Sequence, residues 1–176
     1  MRIITKHQHH ADPGQMPAND APQAILPFEA RRRSRQIITL DNDEQVGIIL
    51  NQGTVLRNND LLIDDNGQAI LVQAALEPVL RVTASSSQQL MRAAYHLGNR
   101  HVAVEIGPDY LQLEHDPVLA DMLAQLGDLN VTTVNQPFEP ETGAYGGGHK
   151  HGHDATFDED YALAQAAYTA REPDGA

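Results

Sequence analysis

Cysteine and tryptophan are both absent from this chain of 176 residues, and aromatic residues make up only 5% of it. Without cysteine the chain has no disulfide, no thiolate nucleophile and no cysteine-type zinc finger. Any bound metal must be held by nitrogen and oxygen, which suits Ni(II), Cu(II), Co(II) or Zn(II) and disfavours Cu(I). Hydrophobic residues still reach 41%, so we expect a core that is largely aliphatic.

Basic residues are also scarce, with 12 lysines and arginines against 24 acidic side chains and a net charge of −12. Such a surface repels nucleic acid and attracts divalent cations. The apolar runs are too short to cross a bilayer, and the first residues lack a signal-peptide core. We therefore expect a cytoplasmic protein without a membrane or nucleic-acid partner. The one basic cluster, Arg31 to Arg35, is interpreted as a solvated edge rather than a phosphate or partner patch.

The first half of the chain is predicted to hold one small β domain. Residues 1–33 are polar and lack an apolar period, so we interpret them as a weakly ordered extension. Its histidines, His7, His9 and His10, fit a flexible leader better than a second metal contact. Residues 34–74 carry short β-branched stretches that predict strands, and Asn66-Gly67 predicts a hairpin between the last two. The predicted strands are 36–40, 46–50, 61–63 and 69–72.

Residues 75–138 predict a second domain with the element order βαββαβ, which is that of a ferredoxin-like fold. A Ser-Gln capping box begins the first helix, and Asp116-Pro117 begins the second as N-cap and first helical residue. The predicted strands are 79–83, 102–106, 110–114 and 131–134. The predicted buried helix faces comprise Leu90, Met91, Ala94 and Leu97, and Val118, Leu119, Met122, Leu123 and Leu126. The fold class is therefore α+β, with residues 139–176 as a flexible tail rich in Gly, His and acids.

The tail contains the most informative segment, Gly146-Gly147-Gly148-His149-Lys150-His151-Gly152-His153. Imidazole is the commonest protein ligand for borderline transition metals, and flanking glycines let a backbone wrap around an ion. A purification tag does not fit, because the histidines are interrupted and internal. We predict that His149, His151 and His153 bind metal.

Three further histidines lie in the second domain. His96, near the end of a helix, is interpreted as a favourable charge at the helix dipole. His101, taken alone, is more typical of a surface histidine than of a ligand, and His115, just before the N-cap Asp116, is a weak ligand candidate. The sequence has no nucleophile motif, phosphate loop or His-Glu-x-x-His run. These features favour a protein that carries metal and is not an enzyme.

Three segments together resemble the urease accessory protein UreE family. They are Ala94 to His101, with the sequence AYHLGNRH, Tyr110 to Asp116, and Gly143 to His149, with the sequence GAYGGGH. The resemblance runs from about Arg33 to His153. It implies a small β domain similar to a peptide-binding module of a co-chaperone, followed by a ferredoxin-like domain.

The resemblance also implies a function, that of a cytoplasmic nickel metallochaperone that dimerises through its ferredoxin-like domains. The family histidine that matches His101 lies on the two-fold axis and binds nickel with its symmetry mate, and tail histidines complete the coordination. The metal then passes to the urease accessory GTPase and to the urease apoprotein. The cargo would be Ni(II), with Zn(II) or Cu(II) as further ions bound in vitro.

Two departures from the family pattern restrict this expectation. Pro117 stands where some members have a second histidine after the one matching His115, which weakens a secondary site there. The tail is modest beside the polyhistidine tails of other members, so delivery of few ions is favoured over bulk storage. The alternative is a general divalent-metal buffer, store or sensor without a client enzyme, and a metalloenzyme is a distant third.

Overall fold

The computed structural model describes residues 1–9, 17 and 21–141. Six strands of this part form the first sheet, in the spatial order β2-β6-β5-β1-β4-β3. Their bounds are β1 (Arg2–Gln8), β2 (Gln23–Leu26), β3 (Arg35–Thr39), β4 (Gln45–Ile49), β5 (Leu61–Asp64) and β6 (Ala69–Ala74), and a short helix, α1 (Phe28–Arg31), lies between β2 and β3. β1 runs parallel to β4 and β2 parallel to β6, while the other pairs are antiparallel.

Aliphatic side chains from these strands form the core of the first domain. Ile4, Val46, Ile48, Leu62 and Ile70 are all 0–1% exposed and belong to one cluster. β-Branched and other aliphatic residues favour strands because they pack well on a pleated surface. The prediction of β3 to β6 from such stretches is confirmed to within one or two residues.

The prediction that residues 1–33 form a weakly ordered extension was wrong where this range is described. β1 is a central strand, and β2 pairs with β6. β1 hides one apolar side chain, that of Ile4, while its other positions are exposed or half-buried, so it lacks the alternation that identifies a strand in sequence. The arginine cluster was also misread at Arg31, which is fully buried.

The predicted hairpin joins β5 and β6, but an Asn-Gly hairpin turn commonly holds both central residues at positive φ, and this turn does not. Gly67 has a positive φ of 79°, whereas Asn66 does not. Gly67 N donates to Asp64 O at 3.0 Å, and Asp64 N donates to Gln68 O at 3.0 Å. The Asp64 carboxylate accepts from the backbone of Asn66 and Gln68, so one acidic side chain holds the turn together.

The second sheet confirms the ferredoxin-like prediction. Its strands are β7 (Glu77–Ala84), β8 (Glu105–Ile106), β9 (Tyr110–Glu114) and β10 (Leu129–Gln136), and its helices are α2 (Ser87–Gly98) and α3 (Pro117–Gln125). The strand order is β10-β7-β9-β8, and every neighbouring pair is antiparallel. β7 and β9, the first and third strands of this domain, lie in the centre of the sheet. The strand predicted over 102–106 is shorter than expected, because only Glu105–Ile106 pair with β9.

The two helices of this domain begin as predicted, but their buried faces differ. Ser86 Oγ accepts from the backbone N of Gln89 at 3.4 Å. The side-chain amide of Gln89 donates to Asp128 instead of to Ser86, so half of the predicted capping box is present. Met91 and Val118 were predicted to be buried, yet they are 64% and 74% exposed. Leu97 in α2 and Leu123 in α3 are fully buried, as predicted, and Ala93, which was not predicted, is buried beside Leu97.

The chain after β10 belongs to the folded body, although a tail was predicted from residue 139. Phe138 is fully buried and packs edge-on against Phe28, with ring centroids 5.1 Å apart. Glu139 N donates to Glu105 at 2.7 Å, and Glu141 N donates to Val104 O at 2.9 Å. We call residues 138–141 the clasp, because they bind both domains. No helix in the described ranges is long and apolar enough to span a membrane.

Candidate metal centre

His101 lies in the turn that follows α2, and hydrogen bonds fix the backbone of this turn. His101 N donates to Gly98 O at 2.9 Å, and Val102 N donates to Leu97 O at 3.2 Å. The turn holds His101 at a φ of 54°, in the left-handed region that few non-glycine residues adopt and that histidine tolerates better than most. The residue is exposed. Unusual backbone conformations of this kind cluster at functional sites.

His115 lies in the same domain, between β9 and α3, and is also exposed. The next residue, Asp116, caps α3 as predicted, since its Oδ1 accepts from Val118 N at 2.7 Å and from Leu119 N at 3.1 Å. These bonds satisfy two amide groups that the first turn of a helix leaves without partners. Asp116 therefore orients the start of α3, and His115 is carried directly beside it.

The structure brings His101 and His115 to one open surface depression of about 430 Å³. Glu114, Asp116 and Arg32 also line it. Two imidazoles and two carboxylates therefore border the same space, which is the nitrogen and oxygen donor set that Ni(II), Zn(II) and Cu(II) accept. Two of the ligands predicted from sequence thus line one depression, although no local sequence signal indicates that His115 and His101 face the same space.

Glu114 has an electrostatic environment that sets it apart from an ordinary surface acid. Burial raises the pKa of its carboxyl, and the nearby charges of Glu29 and Glu77 raise it further, while Arg32 opposes them. A carboxylate that is costly to leave charged gains from a nearby cation. Glu114 is therefore a further candidate ligand or counter-charge in this depression, and sequence reasoning had missed it because the strand residue looks like any exposed acid.

Neither His101 nor His115 completes a site within the described part of one chain. In residues 1–9, 17 and 21–141, a single set of three histidine or carboxylate ligand atoms lies within 4.8 Å, and it consists of His7, His9 and Asp60. The other predicted ligands, His149, His151 and His153, lie outside the described residues. Within the described residues, His101 and His115 therefore have no third histidine or carboxylate ligand atom at this distance.

His7, His9 and Asp60 form a cluster; a second metal contact at the two histidines had been weighed from sequence and set aside, and Asp60 had not been identified. His7 lies on β1, and His9 follows it directly, so the interpretation of these residues as a flexible leader was wrong. The available signal was the spacing of two histidines in a β-branched stretch, since residues two apart on a strand share a face. Asp60 gave no signal, because its approach to β1 depends on strand pairing distant in sequence.

Both halves of the chain match family models. Residues 2–75 match the N-terminal domain of the UreE urease accessory protein, and residues 77–168 match its C-terminal domain. These matches divide the chain at the same place as the structure, in which β6 ends at Ala74 and β7 begins at Glu77. The fold and the matches together define a two-domain protein of the urease accessory class.

Individual relatives agree with the family models over most of the chain. The urease accessory protein UreE of Ralstonia nicotianae is 61% identical over 148 residues, which cover 84% of this chain and 70% of the relative. The proteins of the same name from Cupriavidus necator and Burkholderia vietnamiensis are each 59% identical over 148 residues, which cover 84% of this chain and 77% and 74% of those relatives. The chain belongs to the UreE family of urease accessory proteins.

Proposed function

We propose that this protein is a cytoplasmic nickel metallochaperone, which delivers Ni(II) to the urease apoenzyme through an accessory GTPase complex. The observation that carries the proposal is the exposed His101, held in a left-handed turn beside His115, in a chain of the UreE family. Ni(II) accepts four to six nitrogen and oxygen donors. An exposed pair of histidines that leaves coordination positions open to further ligands favours a protein that carries the ion over one that uses it for catalysis.

The incomplete donor set at His101 is the reason to propose a homodimer. A two-fold axis close to His101 necessarily brings two copies of that imidazole together. The same helix that leads to His101 carries Met91 and Tyr95 one turn apart, and these side chains are 64% and 67% exposed. Large apolar side chains that share a helix face and stay exposed are typical of interaction surfaces. We therefore place the dimer contact on this side of α2.

The remaining nickel ligands are proposed to come from His149, His151 and His153, with His115 as a secondary contact. Ligands carried on a glycine-rich segment lower affinity, because ordering them costs entropy, and the same cost speeds release. Release is what a delivery protein requires. The predicted secondary site at His115 has fewer donors than in some family members, because Pro117 follows two positions later.

Zn(II) and Cu(II) are expected to bind the same donors in vitro, since Cu(II) generally binds such sites more tightly than Ni(II). Selection of nickel therefore rests on its availability and on the receiving complex. The first domain is proposed to contact that complex. A net charge of −12 disfavours any nucleic-acid partner.

The central test replaces His101 by asparagine, which removes the imidazole and tolerates a positive φ better than alanine does. His96→Asn is the matched control, because His96 lies in the last turn of α2 and not in the depression. Calorimetric titration with Ni(II) should show that His101→Asn loses the tightest site of the dimer, while His96→Asn keeps it. If the first Ni(II) ion bound His101→Asn with unchanged affinity and stoichiometry, the proposal that two copies of His101 share nickel at the two-fold axis would be refuted.

Delivery is tested separately, with nickel-loaded protein, the accessory GTPase and urease apoenzyme. The loaded protein should activate urease at a total nickel concentration at which free Ni(II) does not, and His101→Asn should lose this advantage. If loaded protein performs no better than the same amount of free Ni(II), the protein is a metal buffer or store and the delivery proposal fails.

A further inference from the structure

The pairing of β1 with β5 assembles a second group of donors in the first domain. The antiparallel register places Gln8 opposite Leu61, and Asp60 directly precedes β5. His7 and His9 flank Gln8 and project to the same face, as residues two apart on a strand do. Segments more than fifty residues apart in sequence thus bring two imidazoles and one carboxylate together.

The three side chains meet at short distances. His7 Nε2 lies 2.7 Å from Asp60 Oδ2, and His9 Nδ1 lies 2.9 Å from Asp60 Oδ1, so each carboxylate oxygen faces a different imidazole. Asp60 is fully buried. Its Oδ2 also accepts from Arg57 N at 2.7 Å, and its backbone oxygen accepts from Val72 N at 2.8 Å. The carboxylate is therefore held in place before any ion arrives.

We propose that His7, His9 and Asp60 form a metal site that binds a divalent transition cation, such as Zn(II) or Co(II), through two imidazole nitrogens and one carboxylate. Such ions bind nitrogen and oxygen at about 2.0–2.2 Å, so neighbouring ligand atoms around a tetrahedral ion lie about 3.3–3.6 Å apart. The nitrogen to oxygen separations of 2.7 and 2.9 Å are those of hydrogen bonds, which an entering ion would replace, widening the separations by less than about 1 Å. One ligand atom from each of the three residues lies within 4.8 Å of the others, so side-chain rotations are enough to place all three around one ion.

His9 provides the approach for the ion. Its side chain is 53% exposed, whereas that of His7 is 19% exposed and that of Asp60 is 0% exposed. A cation can therefore meet His9 first and then the buried carboxylate, and water can fill the open coordination positions. The Arg57 amide that donates to Asp60 acts as an outer partner of the kind that orients metal-bound carboxylates.

This site is independent of the proposed nickel centre, because it lies in the first domain and uses none of the same residues. The alternative is a hydrogen-bonded cluster that only ties β1 to β5, and the experiment has to separate the two. His9→Gln is the mildest variant, since His9 is half-exposed and glutamine keeps hydrogen-bonding capacity. Asp60→Asn tests the carboxylate, and His96→Gln is the control for loss of a histidine elsewhere.

The full chain carrying His101→Asn is titrated with Zn(II). The titration is monitored by NMR through the ring nitrogen resonances of each histidine. Zn(II) should shift the resonances of His7 and His9 together. In Asp60→Asn and in His9→Gln, the Zn(II) concentration that half-shifts the His7 resonance should rise at least about tenfold, as loss of metal-site groups commonly causes. His96→Gln should not change it.

The proposal is overturned if the His7 and His9 resonances stay unshifted while the other histidines saturate. It is also overturned if His9→Gln titrates like the parent chain. These outcomes do not bear on nickel binding at His101, because that residue is absent from every protein in the titration. Should Asp60→Asn fail to fold, His9→Gln alone decides the matter, since its exposed side chain makes few demands on the core.

Discussion

Arg31 is a fully buried cation with partners in both halves of the body. It donates to the backbone oxygens of Leu26 and Leu56 at 3.2 Å each, and to Phe138 O and the Glu139 carboxylate. Burial lowers the pKa of its guanidinium, and the charge of Glu139 opposes this effect. A buried charge with several acceptors is costly to create and costlier to break. Arg31 therefore fixes the clasp to the first domain.

Replacing Arg31 by methionine should lower the free energy of unfolding by about 2–4 kcal/mol, because carbonyl groups and a half-buried carboxylate lose their donor. Arg32→Met is the control, since the Arg32 pair with Glu29 is about half exposed and such pairs contribute about 0–1 kcal/mol. Urea unfolding of both variants provides the comparison. Equal losses would show that the buried arginine contributes no more than its exposed neighbour.

Asp64 offers a pH-dependent contribution at the same scale. The hydrogen bond from Gln68 N lowers the pKa of its carboxyl most, with further contributions from Asn66 N and Arg2 and an opposing one from burial. Because the folded-state pKa lies below the unfolded value, the charged form favours folding above the unfolded pKa. That stabilisation is lost as the pH falls through the folded-state pKa.

Asp64→Asn should therefore destabilise the protein at pH 7, and the difference from the parent should shrink as the pH falls below the ordinary aspartate value of 3.8. Asp65→Asn, the neighbouring exposed carboxylate, should show no such change. Unfolding free energies in urea at several pH values between 3 and 7 test this. A difference that stays constant with pH would mean that the turn depends on side-chain shape and not on charge.

At the scale of elements, the start of α3 separates a structural role from a metal role. Asp116 caps the helix and also lines the depression with His101 and His115. Asp116→Ala should cost about 1 kcal/mol of stability, the usual effect of losing an N-cap. Asp116→Asn keeps the acceptor and should keep both stability and Ni(II) affinity. Thermal unfolding with nickel titration decides this, and a large affinity loss in Asp116→Asn would make the residue a ligand.

Helix caps, turns and β-branched stretches made most of the second domain predictable from sequence. These signals are local, since a cap needs only the residues within one turn. The buried faces were harder. Met91 and Val118 continue the apolar pattern of their helices but remain exposed. The pattern shows which residues are apolar, but it does not show how far the neighbouring sheet extends to cover them.

β1 and the metal cluster could not be predicted, for a related reason. β1 owes its place to Ile4 and to partners in β4 and β5, and no local signal encodes pairing at such separation. His101 was found through its resemblance to a family, whereas its left-handed turn and the depression shared with Glu114 and His115 required the fold. Ligand types are visible in sequence, while the distances between them are not.

At the scale of the whole molecule, the clasp determines where the chain can be shortened. A chain that ends at Gly143 should keep the stability of the folded body, because it keeps Phe138 and Glu139. It should lose part of its Ni(II) capacity, because it lacks the tail histidines. A chain that ends at Gln136 removes a fully buried phenylalanine and the Arg31 partners, so it should be less stable by at least about 3 kcal/mol.

Thermal unfolding of both shortened chains without metal, together with counting of bound nickel, tests this difference. The pair is informative because the two ends differ by seven residues that carry the clasp. If the longer chain melts as early as the shorter one, residues beyond Gly143 stabilise the body and the clasp is not its boundary.

The central position of β1 also bears on how the protein is made. Of the described strands, β1 leaves the ribosome first, yet its partners follow much later, since Ile4 lies opposite Ile48 and Asp64. Closing such long loops is entropically costly and slows folding. The first domain therefore cannot close until β5 has been synthesised. Until then Ile4 stays in water and His7 and His9 lack Asp60, so a nascent chain would meet cellular metal with only part of this donor set.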